Sequence, residues 1–108
     1  MSATLPDGGL LTKDPADAEV YVMDWADLLG EGSTIGSSDY VITPVSGDTV
    51  TTPATVGQDS VLDGSTSTQA RVSAGALGSL WHVENTIVTN DTPARTLNRG
   101  YFVQIEDR

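Results

Sequence analysis

The feature that most constrains this chain is alternation of large apolar and polar side chains within short runs that end at turn residues. Trp81, Val83, Asn85 and Ile87 share one parity, with His82, Glu84 and Thr86 on the other. Tyr101, Val103 and Ile105 repeat the pattern after a turn around Thr92-Pro93-Ala94-Arg95. Successive side chains of a strand point to opposite faces, so each run buries a single face. Tyr21, Met23 and Trp25 follow the same rule, as do Thr66, Thr68, Ala70 and Val72 between the turn signals Asp63-Gly64 and Gly75 to Gly78. About six short strands with frequent turns, few helical windows and no internal repeat predict an all-β chain folded as an antiparallel sandwich. Its expected core is Tyr21, Met23, Trp25, Tyr40, Ile42, Val72, Trp81, Val83, Ile87, Tyr101, Val103 and Ile105.

Three segments complicate the pattern. Residues 16–29 also support a helix, because Asp14 can cap it, Pro15 suits a first turn, and Val22, Ala26 and Leu29 recur at helical spacing; the strand reading from Glu19 to Trp25 is preferred. Between Ile35 and Tyr40 the apolar parity changes, as an inserted bulge residue near Gly36 would cause, and Pro44 restricts continuation as a central strand. The stretch from Gly47 to Ser67 is poor in large apolar residues, so its strands are expected to be short and near edges.

Residues 1–12 read as an extended, flexible N-terminal arm, with the sandwich domain spanning 13–108. Asp7-Gly8-Gly9 is a joint signal, and Pro15 turns Asp14 toward extended geometry. Leu5, Leu10 and Leu11 punctuate this lead and are its expected anchors on a neighbouring copy or scaffold subunit. Such an arm reaches about 35 Å when extended.

At 108 residues the chain has the size of one domain. Fifteen acidic residues against five basic give a formal charge of −10, so a nucleic-acid backbone would repel it. There is no cysteine, which excludes disulfides and thiolate metal sites. The first residues lack a secretory signal pattern and no run approaches a membrane span, so synthesis in a cytoplasm without export and no membrane partner are expected.

Catalytic chemistry is poorly supported. His82 falls on the exposed face of its strand with no thiol to activate, and Asp24 and Asp27 would face opposite ways on a strand. Asp48, Asp59, Asp63 and Asp91 lie in expected loops without the spacing of a calcium loop and read as solubilising charges. Gly30-Glu31-Gly32 lacks the remainder of a phosphate cradle. Trp25 and Trp81 would suit sugar stacking if exposed, but both are in phase with core positions. Asn85 on the inward face needs hydrogen-bond partners, which points to a bridge to a neighbouring loop. No enzyme activity, metal or cofactor is expected.

Lys13-Asp14-Pro15, then Tyr21-Val22-Met23-Asp24-Trp25 with Leu28, then Thr34, Ile35 and Ser37, and finally Val83, Asn85, Thr89, Arg95, Val103 and Ile105 resemble a family of small tailed-bacteriophage structural proteins. The resemblance implies an immunoglobulin-like β-sandwich carried in many copies in the virion, at the neck or head-tail connector or on the capsid surface. Partners would be other phage structural proteins and copies of itself. The chain departs from the pattern in its acidic middle and its twelve-residue lead. A carbohydrate-binding or adhesion sandwich is the alternative, and an exposed tryptophan shelf would favour it.

Overall fold

The computed structural model describes residues 2–5, 9–62 and 64–106, excluding the side chains of 2–5. In chain order the elements are β1 (Ser2–Leu5), β2 (Leu10–Lys13), β3 (Ala18–Asp24), α1 (Ala26–Leu29), β4 (Ile35–Ser46), β5 (Thr55–Val61), β6 (Ser67–Ser73), β7 (Leu80–Thr89) and β8 (Thr96–Ile105). They form two four-stranded sheets, ordered β1-β3-β6-β5 and β2-β8-β7-β4. The two sheets face each other across the core as a β-sandwich. Most pairings are antiparallel. The two outermost, β1 with β3 and β2 with β8, are parallel.

The strand reading of residues 19–25 holds as β3, and the helical tendency downstream survives as the single turn α1. The division has a local cause. Asp24 Oδ1 accepts the Ala26 amide at 3.0 Å, while the Trp25 amide donates to Thr66 O at 2.9 Å, so the chain leaves the sheet at Trp25.

Period-2 burial governs the core. Met23, Trp25, Val72, Val83, Ile87, Val103 and Ile105 are fully enclosed, with Tyr21, Tyr40, Trp81 and Tyr101 nearly so. Of the expected core residues only Ile42 is half-buried, packed against the cluster. Leu29, Ile35, Ala54 and Ala70 join it. The parity change in β4 is a register shift between Ile35 and Ser37. There a Cβ on Gly36 would stand 2.6 Å from Asn90 Oδ1, so any larger residue would push the Asn90 side chain aside. β4 continues through Pro44 to Ser46 because it is an edge strand, and a second register shift falls at the proline.

Asn85 joins the two sheets. Its Oδ1 accepts from Trp25 Nε1 (2.9 Å) and Thr68 Oγ1 (2.6 Å), and its Nδ2 donates to Ser38 Oγ (2.8 Å) and Asp39 O (3.0 Å). An indole N–H only donates, so the amide oxygen must face it. Thr68 spends its one proton on Asn85, hence Tyr40 donates its hydroxyl to Thr68 at 2.8 Å. The bridge expected from the sequence thus exists: it reaches the β3–α1 connection at Trp25, and also Thr68 of the opposite sheet and Ser38 and Asp39 of β4.

The lead is where expectation and structure part. Leu10–Lys13 is a strand of the sandwich, so the expected boundary after residue 12 falls inside β2. The Phe102 amide donates to Gly9 O, and the Glu106 amide to Lys13 O, fixing both ends of the pairing. β8 would otherwise present an open edge, and Leu11 and Lys13 carry the inward parity that closes it.

Candidate functional site

Strand directions sort the connections into two ends. β3 and β7 run toward one end, where α1, the 64–66 turn and the β7–β8 turn meet. β2, β6 and β8 run toward the other, which holds the 14–17 turn, the 47–54 loop and the 74–79 turn. Ten-residue strands separate them by roughly 30 Å.

At the α1 end the chemistry is a clamp built on two arginines. Arg95 donates through Nε to Asp91 Oδ2 (2.8 Å), and through its terminal nitrogens to Leu29 O (2.7 Å), Leu28 O (3.3 Å) and Ser33 Oγ (3.1 Å). The last carbonyls of a one-turn helix have no partner within the helix, and a guanidinium beside them meets both their hydrogen-bonding need and their partial charge. Ser33 Oγ lies 2.9 and 3.0 Å from the two oxygens of Asp91. The Arg95 and Ser33 hydrogen bonds hold the Asp91 carboxyl below its ordinary pKa.

Arg99 completes the clamp. It donates to Asp24 O (2.6 Å) and to both oxygens of Asp27 (3.1 and 2.9 Å), and its guanidinium lies 5.6 Å from the Trp25 ring centroid. Hydrogen bonding from Arg99 lowers the Asp27 pKa. Asn90 Nδ2 reaches Thr34 Oγ1 (3.0 Å), and Thr89 Oγ1 accepts the Arg95 amide (2.9 Å). Above this network Leu28 is exposed while Leu29 is buried.

At the opposite end the polar groups fix backbone rather than one another. Lys13 is fully buried with Nζ 2.8 Å from both Asp14 O and Asp17 O, so it holds the 14–17 turn from within. Ser79 Oγ donates to Ala76 O (2.6 Å) and accepts Trp81 Nε1 (2.8 Å), and the Gly78 amide donates to Ile105 O (2.8 Å). These bonds pin the 74–79 turn to the core.

The residues singled out for chemistry are dispersed. Asp24 and Asp27 do not act as a catalytic pair: one accepts the Ala26 amide and the other binds Arg99. His82 is half-buried with its ring 4.8 Å from Phe102. Asp48 accepts the Val50 and Thr51 amides, Asp91 belongs to the clamp, Asp59 is exposed in β5, and Asp63 lies outside the described residues. Trp25 and Trp81 are enclosed and spend their N–H groups internally, so they form no sugar-stacking shelf. Of the expected anchors, Leu11 is half-buried against this chain's own core and Leu10 is exposed, while the side chain of Leu5 lies outside the described residues.

Sequence reasoning overlooked Lys13, Arg95 and Arg99 as structural cations. A signal existed for two of them, since Lys13 and Arg99 occupy inward parity on strands whose other inward residues are apolar.

The polar clusters at both ends hold loops and turns to the two sheets. The chain belongs to the podophage GP4 fiber-tail adaptor protein gp77 family, which matches residues 13–104, and it is accordingly a structural protein of tailed phages. No curated protein matches it.

Proposed function

We propose that this chain is a non-enzymatic virion adaptor, present in multiple copies, that joins a fiber to the tail of a podophage. The observation that carries the reading is the family match, which runs from β2 almost to the end of β8. The junction of tail and fibers, beside the neck or head-tail connector, fits the family's description better than the capsid surface. Two chemically distinct ends suit a body that must hold one partner on each side. Repetition on a symmetric scaffold lets modest contacts add. Leu10, exposed beside Phe102 on the outer face of β2-β8-β7-β4, is available for a lateral contact with a neighbouring subunit.

Mass spectrometry of purified particles tests the reading. Peptides of this chain should be present at several copies per particle, and particles assembled without it should lack fibers. Particles that never contain the chain, or that keep their fibers in its absence, would sink the adaptor role.

A further inference from the structure

The end of the sandwich opposite α1 carries exposed apolar side chains at the end of β4, in the 47–54 loop and in the 74–79 turn. Val50 is 83% exposed, Leu77 61% and Val45 50%. The segments that carry them adjoin. A Cβ on Gly47 would stand 2.7 Å from Gly78 O, so the start of the 47–54 loop lies against the 74–79 turn, with Val45 and Leu77 within two residues of that contact. Val50 follows three residues after Gly47, and the Asp48 carboxylate, accepting the Val50 and Thr51 amides at 3.2 and 3.1 Å, fixes the loop that carries it.

Backbone held this way loses little freedom on binding, which favours a docking role over incidental exposure. Exposed acids border the patch. Asp48 is adjacent to Gly47, and Glu106 follows Ile105, whose carbonyl accepts the Gly78 amide. Hydrogen bonds from Thr51 lower the Asp48 pKa and keep it ionised at neutral pH. Among the described residues of the 14–17, 47–54 and 74–79 connections there is no lysine or arginine.

We infer that Val45, Val50 and Leu77, bordered by Asp48 and Glu106, form a docking surface for a partner protein that offers apolar pockets rimmed by lysine or arginine. This rests on the adaptor reading and names the chemistry of one of its two partners. Charge complementarity selects the occupant. A second copy meeting this surface through a two-fold contact would set its acids against their own equivalents, in a chain of formal charge −10. A basic rim gains from the same acids, while the apolar side chains supply the affinity.

The test uses the full chain added to purified particles assembled without it, with occupancy read by quantitative mass spectrometry across a salt series. Val50→Ser with Leu77→Ser should lower occupancy about tenfold while leaving the melting temperature nearly unchanged. Asp48→Asn with Glu106→Gln should weaken association at low salt and converge with the parent at high salt. A photo-crosslinker on Thr51→Cys should capture a peptide containing lysine or arginine from another phage protein. If the parent chain never associates, the adaptor reading fails. If it associates and the Val50/Leu77 variant does so equally well, only the docking surface is overturned. Capture of a second copy of this chain, or charge variants with unchanged salt dependence, would overturn the basic partner.

Discussion

The two ends of this sandwich use polar chemistry in opposite ways. At the α1 end Arg95 and Arg99 tie the β3–β4 connection to the β7–β8 turn and to β8, and of the large apolar side chains there Leu28 is exposed. At the other end Lys13 is withdrawn into the interior and the turns are pinned from beneath, leaving Val50 and Leu77 outward. Many residues that carry the family resemblance, Asp24, Trp25, Thr34, Asn85, Thr89 and Arg95 among them, serve the clamp and its link to the core. The motif therefore reports how the fold is held, whereas the surface proposed for docking lies in loops the motif does not mark.

The sharpest way to break this contrast is Asn85→Ala, which removes the bridge beneath the α1 end. It strands the Trp25 N–H and the Thr68 hydroxyl, and should cost ~3 kcal/mol, or roughly 15 °C in melting temperature. A loss below ~1 kcal/mol in thermal unfolding would mean the network is dispensable. Deleting residues 2–12 removes β1 and most of β2, uncovers the β8 edge and takes away Leu11, so a loss of about 2 kcal/mol is expected. An unchanged melting curve would restore the lead to a separable arm.

Arg95→Ala should destabilise by ~1 kcal/mol, a modest figure because the side chain is 43% exposed. Val50→Ser with Leu77→Ser should shift stability by less than ~0.5 kcal/mol. Chemical denaturation of both variants would erase the contrast if the second proved the more damaging.

The pH dependence sharpens it further. Burial pushes the Tyr40 hydroxyl up to about 12 from an ordinary 10.0 and raises Tyr101 as well. The unfolded chain then releases protons that the folded chain retains, so stability is full below pH ~10 and falls as pH rises toward 12. On the acid side the lowered Asp27 and Asp91 pKa values have the opposite sign. Stability they contribute above the ordinary carboxylate pKa is lost as pH falls through their depressed values, so the clamp should loosen first in acid. Amide exchange along 26–34 and 90–95, compared with 74–79, reads that order; earlier loosening of 74–79 would refute it.

A small effect of the opposite sign is expected at Tyr101, whose buried hydroxyl has no hydrogen-bond partner among the described residues. Tyr101→Phe should be neutral or stabilising by up to ~1 kcal/mol, because it removes an unsatisfied polar group while keeping the ring. A clear loss of stability would reveal a partner for that hydroxyl.

Much of the architecture was written in local pattern. Alternation identified β3, β6, β7 and β8 and nearly every core residue, because a strand's side-chain period is fixed by its backbone whatever it packs against. The parity change near Gly36 announced the β4 bulge for the same reason, and the inward Asn85 announced a hydrogen-bonded bridge. Its partners were not legible, since Trp25 and Thr68 lie 60 and 17 residues away and are brought together only when the sheets face each other. The lead misled because four residues without a partner strand carry too weak a signal to distinguish an arm from an edge. β8 decided that.

The sequence by itself determined the all-β class and the inward faces, since these follow from the side-chain period of a strand. Only the tertiary structure decided that Lys13 is buried, that Arg95 and Arg99 close one end, and that Val45, Val50 and Leu77 share the other. Each depends on which loops meet, and that is fixed by the pairing order of strands far apart in the chain.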